Sequence, residues 1–363
     1  MTTTPPSLPN AAAPPLQHIG ALRARLREHG ARPAHEYRVL RLWANALPQG
    51  SGKRRPEDFL PLTLRAALPA IEAELAALAR IRTEHPAADG AARWLIALAD
   101  GQTIESVLLP RDGVCVSTQV GCAVGCVFCM TGQGGLARQL GSAEIVAQVV
   151  LARARRRVRK VVFMGMGEPA HNLDNVLDAI ELLGREGGIA HKNLVFSTVG
   201  DRRVFERLPH GGVKPALALS LHSTNAARRA ALLPRAPRLD PEELIDASDR
   251  YARATGYPVQ IQWTLIDGVN DGDDEVDGLL RLLRGRYAVL NLIPYNRVDG
   301  VDFRRPSAER AEAIARRLSA QRVLTKLRQS AGQEVDAGCG QLRSRATGTE
   351  RPLVFSRAVA VSA

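Results

Sequence analysis

Short apolar segments alternate with amphipathic helices along the chain from residue 114 onward. Six of these segments are nearly continuous in apolar character: VCVSTQVG, VVFMGMG, NLVFSTVG, PALALSLHS, VQIQWTLIDG and AVLNLIPYN. Strands that are apolar on both faces belong to parallel sheets covered by helices. Helix starts lie between them, with Ser142, Asp240-Pro241 and Ser307 as the predicted capping residues. Six such βα units predict an α/β fold, a partial (βα)6 barrel.

Unusual polar residues gather where the predicted strands end. These strand ends read GMGEP, FSTVG, SLHST and IPYN. In folds of this class the ligand chemistry collects at the carboxyl ends of the strands. The sequence therefore predicts an active site at the mouth of the barrel.

The flanking regions have a different character from the barrel. Residues 1–15 are rich in Thr, Pro and Ala, which predicts a disordered tail. Residues 16–87 show helix-type apolar spacing and predict a small accessory domain. Residues 88–113 alternate like a β-hairpin linker. The barrel is expected over residues 114–345, followed by a C-terminal tail at 346–363.

Composition narrows the class of protein. No apolar run is long enough to span a bilayer, and the N-terminus lacks the basic start and apolar run of a secretory signal. A cytoplasmic protein without a membrane partner is expected. The net charge of +12 comes from 49 Lys and Arg against 37 Asp and Glu. Such an excess suits a polyanion such as RNA, and a solvated basic face explains it equally well.

The five cysteines divide into a trio and two isolated residues. Cys122, Cys126 and Cys129 have the spacing C-x3-C-x2-C directly after the first barrel strand, whereas Cys115 and Cys339 stand alone. Three thiolates can bind three irons of a [4Fe–4S] cluster and leave the fourth iron open to chelate S-adenosylmethionine (SAM). The alternative is a zinc site, in which Cys115 or a histidine would have to be the fourth ligand.

Around these cysteines the chain resembles the radical-SAM RNA methyltransferases of the RlmN/Cfr type. The resemblance covers roughly residues 88–345. It rests on CVSTQVGC at 115–122, FMGMGEP at 163–169, ALSLHSTN at 218–225, NLIPYN at 291–296 and EVDAGCGQL at 334–342. A generic radical-SAM protein shares the trio but not Cys115 or the segment around Cys339.

The resemblance implies a substrate and a set of roles. The family methylates carbon 2 of an adenosine in 23S ribosomal RNA, or carbon 8 in Cfr-like members. Cys339 is implied as the methyl-carrying cysteine, Cys115 as the thiol that resolves the product through a transient disulfide, and Glu105 as the proton acceptor. The implied SAM-binding residues are Gly167, Glu168, Ser197, Ser220, His222 and Asn296. A monomer served by an electron donor such as flavodoxin or ferredoxin is expected.

Several positions depart from the family pattern. Met130 lies beside the cysteine trio where relatives carry a small residue, STVGDRR changes the usual strand end, and Leu136 occupies an aromatic position. The link between Glu105 and Cys115 is also short. These departures predict a divergent RlmN-like paralogue, with transfer RNA as the alternative to ribosomal RNA.

Basic residues near the predicted mouth are candidates for phosphate contact. They are the run at 153–160 and the pairs Arg202/Arg203, Arg304/Arg305 and Arg343/Arg345. Two other hypotheses remain open at this point. One is a radical-SAM enzyme acting on a non-RNA substrate, and the other is a zinc-stabilised RNA-binding protein without catalysis.

Overall fold

The structure is a computed structural model that describes residues 16–343. Arg345 and the two predicted tails lie outside the described residues. The helices are α1 (Ile19–Glu28), α2 (Pro33–Ala44), α3 (Pro56–Phe59), α4 (Leu62–Ala77), α5 (Met130–Gln133), α6 (Ser142–Arg155), α7 (Leu173–Arg185), α8 (Arg202–Arg207), α9 (Ala226–Leu232), α10 (Pro241–Thr255), α11 (Asp273–Leu283) and α12 (Ala308–Ala320). Short 3-10 helices cover Pro169–Asn172, His191–Asn193, Leu208–His210 and Gln333–Val335.

The strands form one large sheet and one small ribbon. They are β1 (Ala79–Pro86), β2 (Ala92–Leu98), β3 (Thr103–Leu109), β4 (Gly113–Cys115), β5 (Gln119–Gly121), β6 (Leu136–Gln139), β7 (Lys160–Phe163), β8 (Leu194–Thr198), β9 (Ala216–Ser220), β10 (Val259–Leu265), β11 (Ala288–Pro294) and β12 (Thr325–Leu327). The large sheet runs β1-β2-β3-β4-β7-β8-β9-β10-β11-β12, and β5 pairs with β6.

The six predicted barrel strands are parallel neighbours. Strands β4, β7, β8, β9, β10 and β11 pair in this order, and β12 adds a short parallel strand at the end. Strands β7, β8 and β9 are almost entirely buried because helices cover their outer face. The predicted partial barrel of α/β class is confirmed.

Two of the three predicted helix caps are present. The Asp240 side chain accepts the Glu242 N–H at 2.8 Å, and the Ser307 hydroxyl accepts the Arg310 N–H at 3.1 Å. The prediction for Ser142 is wrong. Its hydroxyl accepts the Ile19 N–H at 2.9 Å, and Gly141 is the capping residue because the Glu144 carboxylate accepts the Gly141 N–H at 2.8 Å.

The region before the barrel differs from the expected helical stretch over 16–87. Helix α4 ends at Ala77, and residues 79–86 form β1, which pairs antiparallel with β2. The predicted hairpin of β2 and β3 is therefore part of a three-stranded meander that joins the barrel sheet through β4. The sequence pattern missed β1 because only its first residue is buried, so its apolar alternation is weak.

The N-terminal helices share the core of the barrel. One continuous cluster of buried apolar side chains runs from Leu22 on α1 and Trp43 on α2 to Ile314 on α12. Helix α2 contacts both α6 and α7 of the barrel. No helix among residues 16–343 is both long and apolar enough to cross a membrane.

Candidate active site

The three clustered cysteines lie on a loop, residues 122–135, that is closed at its base by the ribbon of β5 and β6. Gln119 pairs with Gln139, and the Cys122 N–H donates to the Gly135 carbonyl at 2.8 Å. Gly121 has φ +80°, and a Cβ there would collide with the Gly135 carbonyl oxygen. Only glycine fits this crossing, so the ribbon holds the cysteine loop at the mouth of the barrel.

A cavity opens between this cysteine loop and the strand ends. The volume of the cavity is about 150 Å³. The predicted residues that line it are Cys122, Cys126, Cys129, Gly167, Glu168, Ser197, Ser220, His222 and Cys339. The expected active site at the barrel mouth therefore brings together all the predicted residues except Glu105, Cys115 and Asn296.

The three thiols of the cysteine loop line one cavity, and each could bind one iron of a [4Fe–4S] cluster. Within residues 16–343, no three His, Cys, Asp or Glu side chains form a group that could bind one metal ion, so the described residues show no closed zinc site. Burial raises the pKa of Cys122 to about 12 and also raises the pKa of Cys126. Bound iron favours the thiolate and offsets this cost.

Glu168 joins the ends of two strands beside the cysteine loop. Its carboxylate oxygens accept the Ala170 N–H at 3.1 Å and the Val199 N–H at 3.0 Å. Burial raises the pKa of Glu168 to about 7, although hydrogen bonds from Thr198, Ala170 and Val199 oppose the shift. Gly167 has φ +104°, and a Cβ there would lie 2.7 Å from the Gln119 side chain. Gly167 is therefore packed against β5.

His222 lines the cavity just after β9 and contacts the cysteine loop. Its Nδ1 accepts the Thr264 N–H at 3.0 Å, and the Phe128 ring lies edge-on with centroids 4.9 Å apart. Burial lowers the pKa of His222 to about 3, and the charge of Arg229 lowers it further. Since Nδ1 accepts a hydrogen bond, the proton of the neutral ring is on Nε2. His222 can therefore donate one hydrogen bond to a bound molecule.

His222 is expected to make unfolding strongly dependent on pH. Its folded pKa of about 3 lies below the unfolded value, so the unfolded chain binds the proton first. The full contribution of His222 to the free energy of unfolding is present above about pH 6.5. As the pH falls from there towards 3, this contribution decreases by up to about 1.4 kcal/mol per pH unit. His222→Asn removes the titrating ring and tolerates the left-handed φ of +62°.

Urea unfolding at pH 7 and pH 5 measures this contribution. The free energy of unfolding should fall less between the two pH values for His222→Asn than for the native chain. The exposed His210 provides the matched control, and His210→Asn should keep the native pH dependence. If the free energy of unfolding falls equally for the native chain and for His222→Asn, the lowered pKa assigned to His222 is wrong.

Cys339 lies on a C-terminal segment, residues 331–343, that folds back over the cysteine loop. The Met130 N–H donates to the Gly340 carbonyl at 2.8 Å, and the Thr131 hydroxyl donates to the Leu342 carbonyl at 2.5 Å. The residue as a whole is exposed, and it lines the cavity. Desolvation of its thiol by the surrounding protein raises the pKa of Cys339, and a hydrogen bond with Ser330 lowers it in part.

Cys115 lies behind the cavity wall, at the end of β4. Its backbone pairs with Val107 and Val162, and its side chain is buried. Burial raises the pKa of Cys115 to about 12, and the neighbouring Cys339 thiol contributes to the rise. The two thiols that stand alone in the sequence therefore lie close enough for their charges to interact, and neither forms a disulfide among the described residues.

Glu105 and Asn296 contact the C-terminal segment and do not line the cavity. The fully buried Glu105 carboxylate forms an ion pair with Arg93 and accepts the Arg343 N–H at 2.9 Å. The Asn296 side chain donates to the Ser330 hydroxyl at 2.8 Å and to the Cys339 carbonyl at 3.0 Å. Their implied roles as proton acceptor and SAM contact stay predictions, and both residues hold the segment that carries Cys339.

Arg229 is a site residue that the sequence did not indicate. Its guanidinium is 3% exposed and donates to the Val199 and Ser220 carbonyls at the ends of β8 and β9. Its charge also interacts with Cys126 and Glu168. An arginine pair on a short helix normally indicates a solvated face, so only the fold shows that this one faces inward.

Most of the arginines predicted to contact phosphate have protein partners. Arg202 pairs with Glu243 at 2.8 Å, Arg203 with Asp201 at 2.7 Å, and Arg343 with Asp299 at 3.5 Å. Arg304 and Arg305 line a second cavity beside Asn296. In the run at 153–160, Arg153 donates to the Ala44 carbonyl at 2.7 Å and thereby ties α6 to α2.

Comparison with known proteins identifies the family. The radical SAM superfamily matches residues 116–283. A radical SAM methyltransferase from Sphaerobacter thermophilus is 38% identical and superposes with a TM-score of 0.78 over 90% of this chain and 97% of its own. The chain belongs to the radical SAM methyltransferases. Enzymes of this family use a [4Fe–4S] cluster and SAM, so the predicted cofactors and enzyme class are confirmed.

Curated relatives of this radical SAM methyltransferase are closer still in sequence. A probable RNA methyltransferase of Methylibium petroleiphilum is 74% identical over 92% of this chain and 94% of its own length. A probable RNA methyltransferase of Aromatoleum aromaticum is 71% identical over 90% of this chain and 92% of its own length. The similarity spans nearly the whole of each protein.

Proposed function

We propose that this enzyme methylates an aromatic carbon of an adenosine in RNA, carbon 2 rather than carbon 8, with Cys339 as the methyl carrier. The observation that carries the proposal is the position of the Cys339 thiol, which opens onto the cavity lined by Cys122, Cys126 and Cys129. The relatives named as probable RNA methyltransferases and the net charge of +12 support an RNA substrate.

The chemistry explains why a thiol carrier is needed. The amidine carbons of adenine are electron-poor and do not attack the methyl group of SAM directly. When bound, the cluster and SAM supply a radical that abstracts hydrogen from a methyl group. The Cys339 sulfur first takes that methyl group from one SAM molecule and holds it at the cavity wall. The Asn296 side chain and the Met130 N–H hold the backbone there through the carbonyls of Cys339 and Gly340.

Cys115 is the partner that releases the product. Once the methyl carbon is joined to adenine, its bond to the Cys339 sulfur must break. The Cys115 sulfur attacks the Cys339 sulfur, a disulfide forms, and the electron pair of the carbon–sulfur bond passes to the carbon, which takes up a proton. A cellular thiol then reduces the disulfide. Glu105 is the predicted acceptor for the proton that leaves the adenine carbon.

The remaining partners follow from this reaction. Ribosomal RNA is the proposed substrate, and transfer RNA is the second candidate because the chain departs from the family pattern at Met130 and Leu136. The cluster requires a one-electron donor such as flavodoxin or ferredoxin. An RNA substrate together with free thiols favours the cytoplasm. We propose that the enzyme acts as a monomer.

Nucleoside analysis of separated ribosomal and transfer RNA tests the substrate. A deletion strain should lose one methyladenosine that its parent contains, and the native gene should restore it. Complementation with Cys339→Ala should fail to restore it. If deletion changes no methyladenosine in either RNA fraction, the proposed function is wrong.

A further inference from the structure

The second cavity borders the segment that carries Cys339. Its volume is about 690 Å³, and ligand sites in proteins span roughly 300–1,000 Å³. Most of its lining comes from the loop that follows β11, residues 295–305, and the rest comes from Gln333 and Gln341. The second cavity therefore has the size of a ligand site, and the proposed reaction does not use it.

Hydrogen bonds join the lining of this cavity to the backbone around Cys339. The Gln341 Nε2 donates to the Arg297 carbonyl at 3.0 Å, and the Gln341 Oε1 accepts the Gly338 N–H at 3.0 Å. Asn296 also lines the cavity, and its side chain donates to the Cys339 carbonyl at 3.0 Å. A molecule in the second cavity therefore lies against the residues that hold the proposed methyl carrier.

The charged side chains that line the cavity are mostly arginines. Arg297, Arg304 and Arg305 stand against one carboxylate, Asp302. Within residues 16–343 none of the three arginines forms an ion pair, and Arg305 donates only to the Gln333 Oε1 at 3.4 Å. A guanidinium offers several N–H donors in a planar fork that matches the oxygens of a phosphate. The second cavity therefore suits an anionic group.

Aromatic rings form another part of the lining. Phe303 is half-buried and packs edge-on against Tyr295, with ring centroids 6.1 Å apart and planes at 86°. Tyr295 is buried, so it provides a fixed support for the Phe303 ring. Proteins bind single-stranded RNA by stacking bases on aromatic rings and by placing cations along the backbone. An aromatic ring beside arginines without ion pairs therefore suits a nucleotide better than a simple anion.

We propose that the second cavity binds a nucleotide of the substrate RNA next to the adenosine that reaches Cys339. The inference rests on the proposed function. The base stacks on Phe303, and Arg297, Arg304 and Arg305 hold the phosphate. SAM is the alternative occupant, but SAM carries no phosphate and must reach the cysteine trio, which lines the first cavity. The neighbouring nucleotide then holds the RNA strand while the target adenine enters the first cavity.

Salt-dependent binding of a short fluorescein-labelled oligoadenylate to the anaerobically reconstituted enzyme tests the phosphate contact. Each phosphate contact adds about 0.7 to the slope of log affinity against log salt for single-stranded nucleic acid. Arg304→Gln should weaken binding and reduce the slope by about 0.7, and Arg304→Lys should keep the native slope. The matched control is Arg250 on α10, which is exposed and lines neither cavity, and Arg250→Gln should leave the slope unchanged.

An abasic oligomer of the same length and charge tests the base contact. Phe303→Leu keeps an apolar side chain but removes the aromatic ring. It should weaken the binding of oligoadenylate about fivefold or more, since this is the usual effect of losing one stacked base. Its affinity for the abasic oligomer should equal that of the native enzyme. Arg304→Gln should weaken the binding of both oligomers.

Cleavage of SAM without RNA separates a nucleotide site from a SAM site. It should stay at the native rate in both variants, which also shows that the fold and the cluster are intact. Slower cleavage by Arg304→Gln would assign the second cavity to SAM and overturn the inference. Native affinity and slope in both variants would also overturn the nucleotide site and leave the proposed function intact. If the native enzyme binds neither oligoadenylate nor ribosomal RNA from the deletion strain, the proposed function itself fails.

Discussion

Cys126→Ala is expected to remove the iron–sulfur cluster. The Cys126 thiol lines the cavity with Cys122 and Cys129, and each of the three is required to bind one iron. Substitution of a residue that only hydrogen-bonds a metal ligand lowers metal affinity about 10–100-fold. Loss of a ligand itself should therefore lower the affinity further. Iron and acid-labile sulfide, measured after anaerobic reconstitution, should fall by more than about tenfold, and the brown colour should be lost.

Cys115→Ala is the matched control for this loss. Cys115 is also a buried cysteine, but it lies behind the cavity wall and does not face the trio. Its replacement should leave the iron and sulfide content at the native level. A Cys126→Ala protein that retains the cluster would contradict the ligand assignment. A colourless native protein with bound zinc and no sulfide would support the zinc hypothesis instead.

The sequence predicted the cavity well because its residues lie at the ends of successive parallel strands. Glu168 follows β7, Ser197 lies at the end of β8, and Ser220 ends β9. In a parallel sheet all these ends meet at one edge. Local spacing and strand order were therefore enough to place them together, and the cysteine spacing predicted the loop beside them.

The contacts of the C-terminal segment could not be predicted in this way. Arg343 meets Glu105 across 238 residues of sequence, and Thr131 meets Leu342 across 211. Neither contact corresponds to a periodic pattern of residues in the sequence. Asn296 was expected to contact SAM because it follows β11, yet its side chain donates to the Cys339 carbonyl. The positions of these side chains depend on how the C-terminal segment folds back over the barrel.

Met130 shows how a departure from a family pattern is accommodated. Its backbone N–H donates to the Gly340 carbonyl, a contact that any residue other than proline can make. Its side chain is buried in a second apolar cluster with Val124, Phe128 and Cys122. A larger side chain at this position therefore adds to the apolar surroundings of the cysteine loop without disturbing the bond to the C-terminal segment.

Cys339→Ala is expected to abolish methyl transfer to RNA while leaving the fold and the radical chemistry intact. The bonds that hold this segment use the backbone of Cys339, Gly340 and Leu342, so removal of the sulfur leaves them intact and breaks only the hydrogen bond between the thiol and Ser330. Cys339 is not one of the three predicted cluster ligands, so cluster content should stay native. Methyl incorporation from labelled SAM into RNA should fall to the level without enzyme, while 5′-deoxyadenosine still forms.

Cys115→Ala should give a different product from Cys339→Ala in the same assay. The difference tests whether Cys339 acts first, as methyl carrier, and Cys115 second, in product release. Cys339 can still receive the methyl group and join it to adenine, but no sulfur is then placed to break the link. Mass spectrometry should detect Cys339 covalently attached to RNA in this variant and no attachment in Cys339→Ala. Normal methylation by Cys339→Ala would exclude the carrier role. Absence of both methylated Cys339 and trapped RNA in Cys115→Ala would exclude the two-thiol route, because nothing in that variant prevents the steps before release.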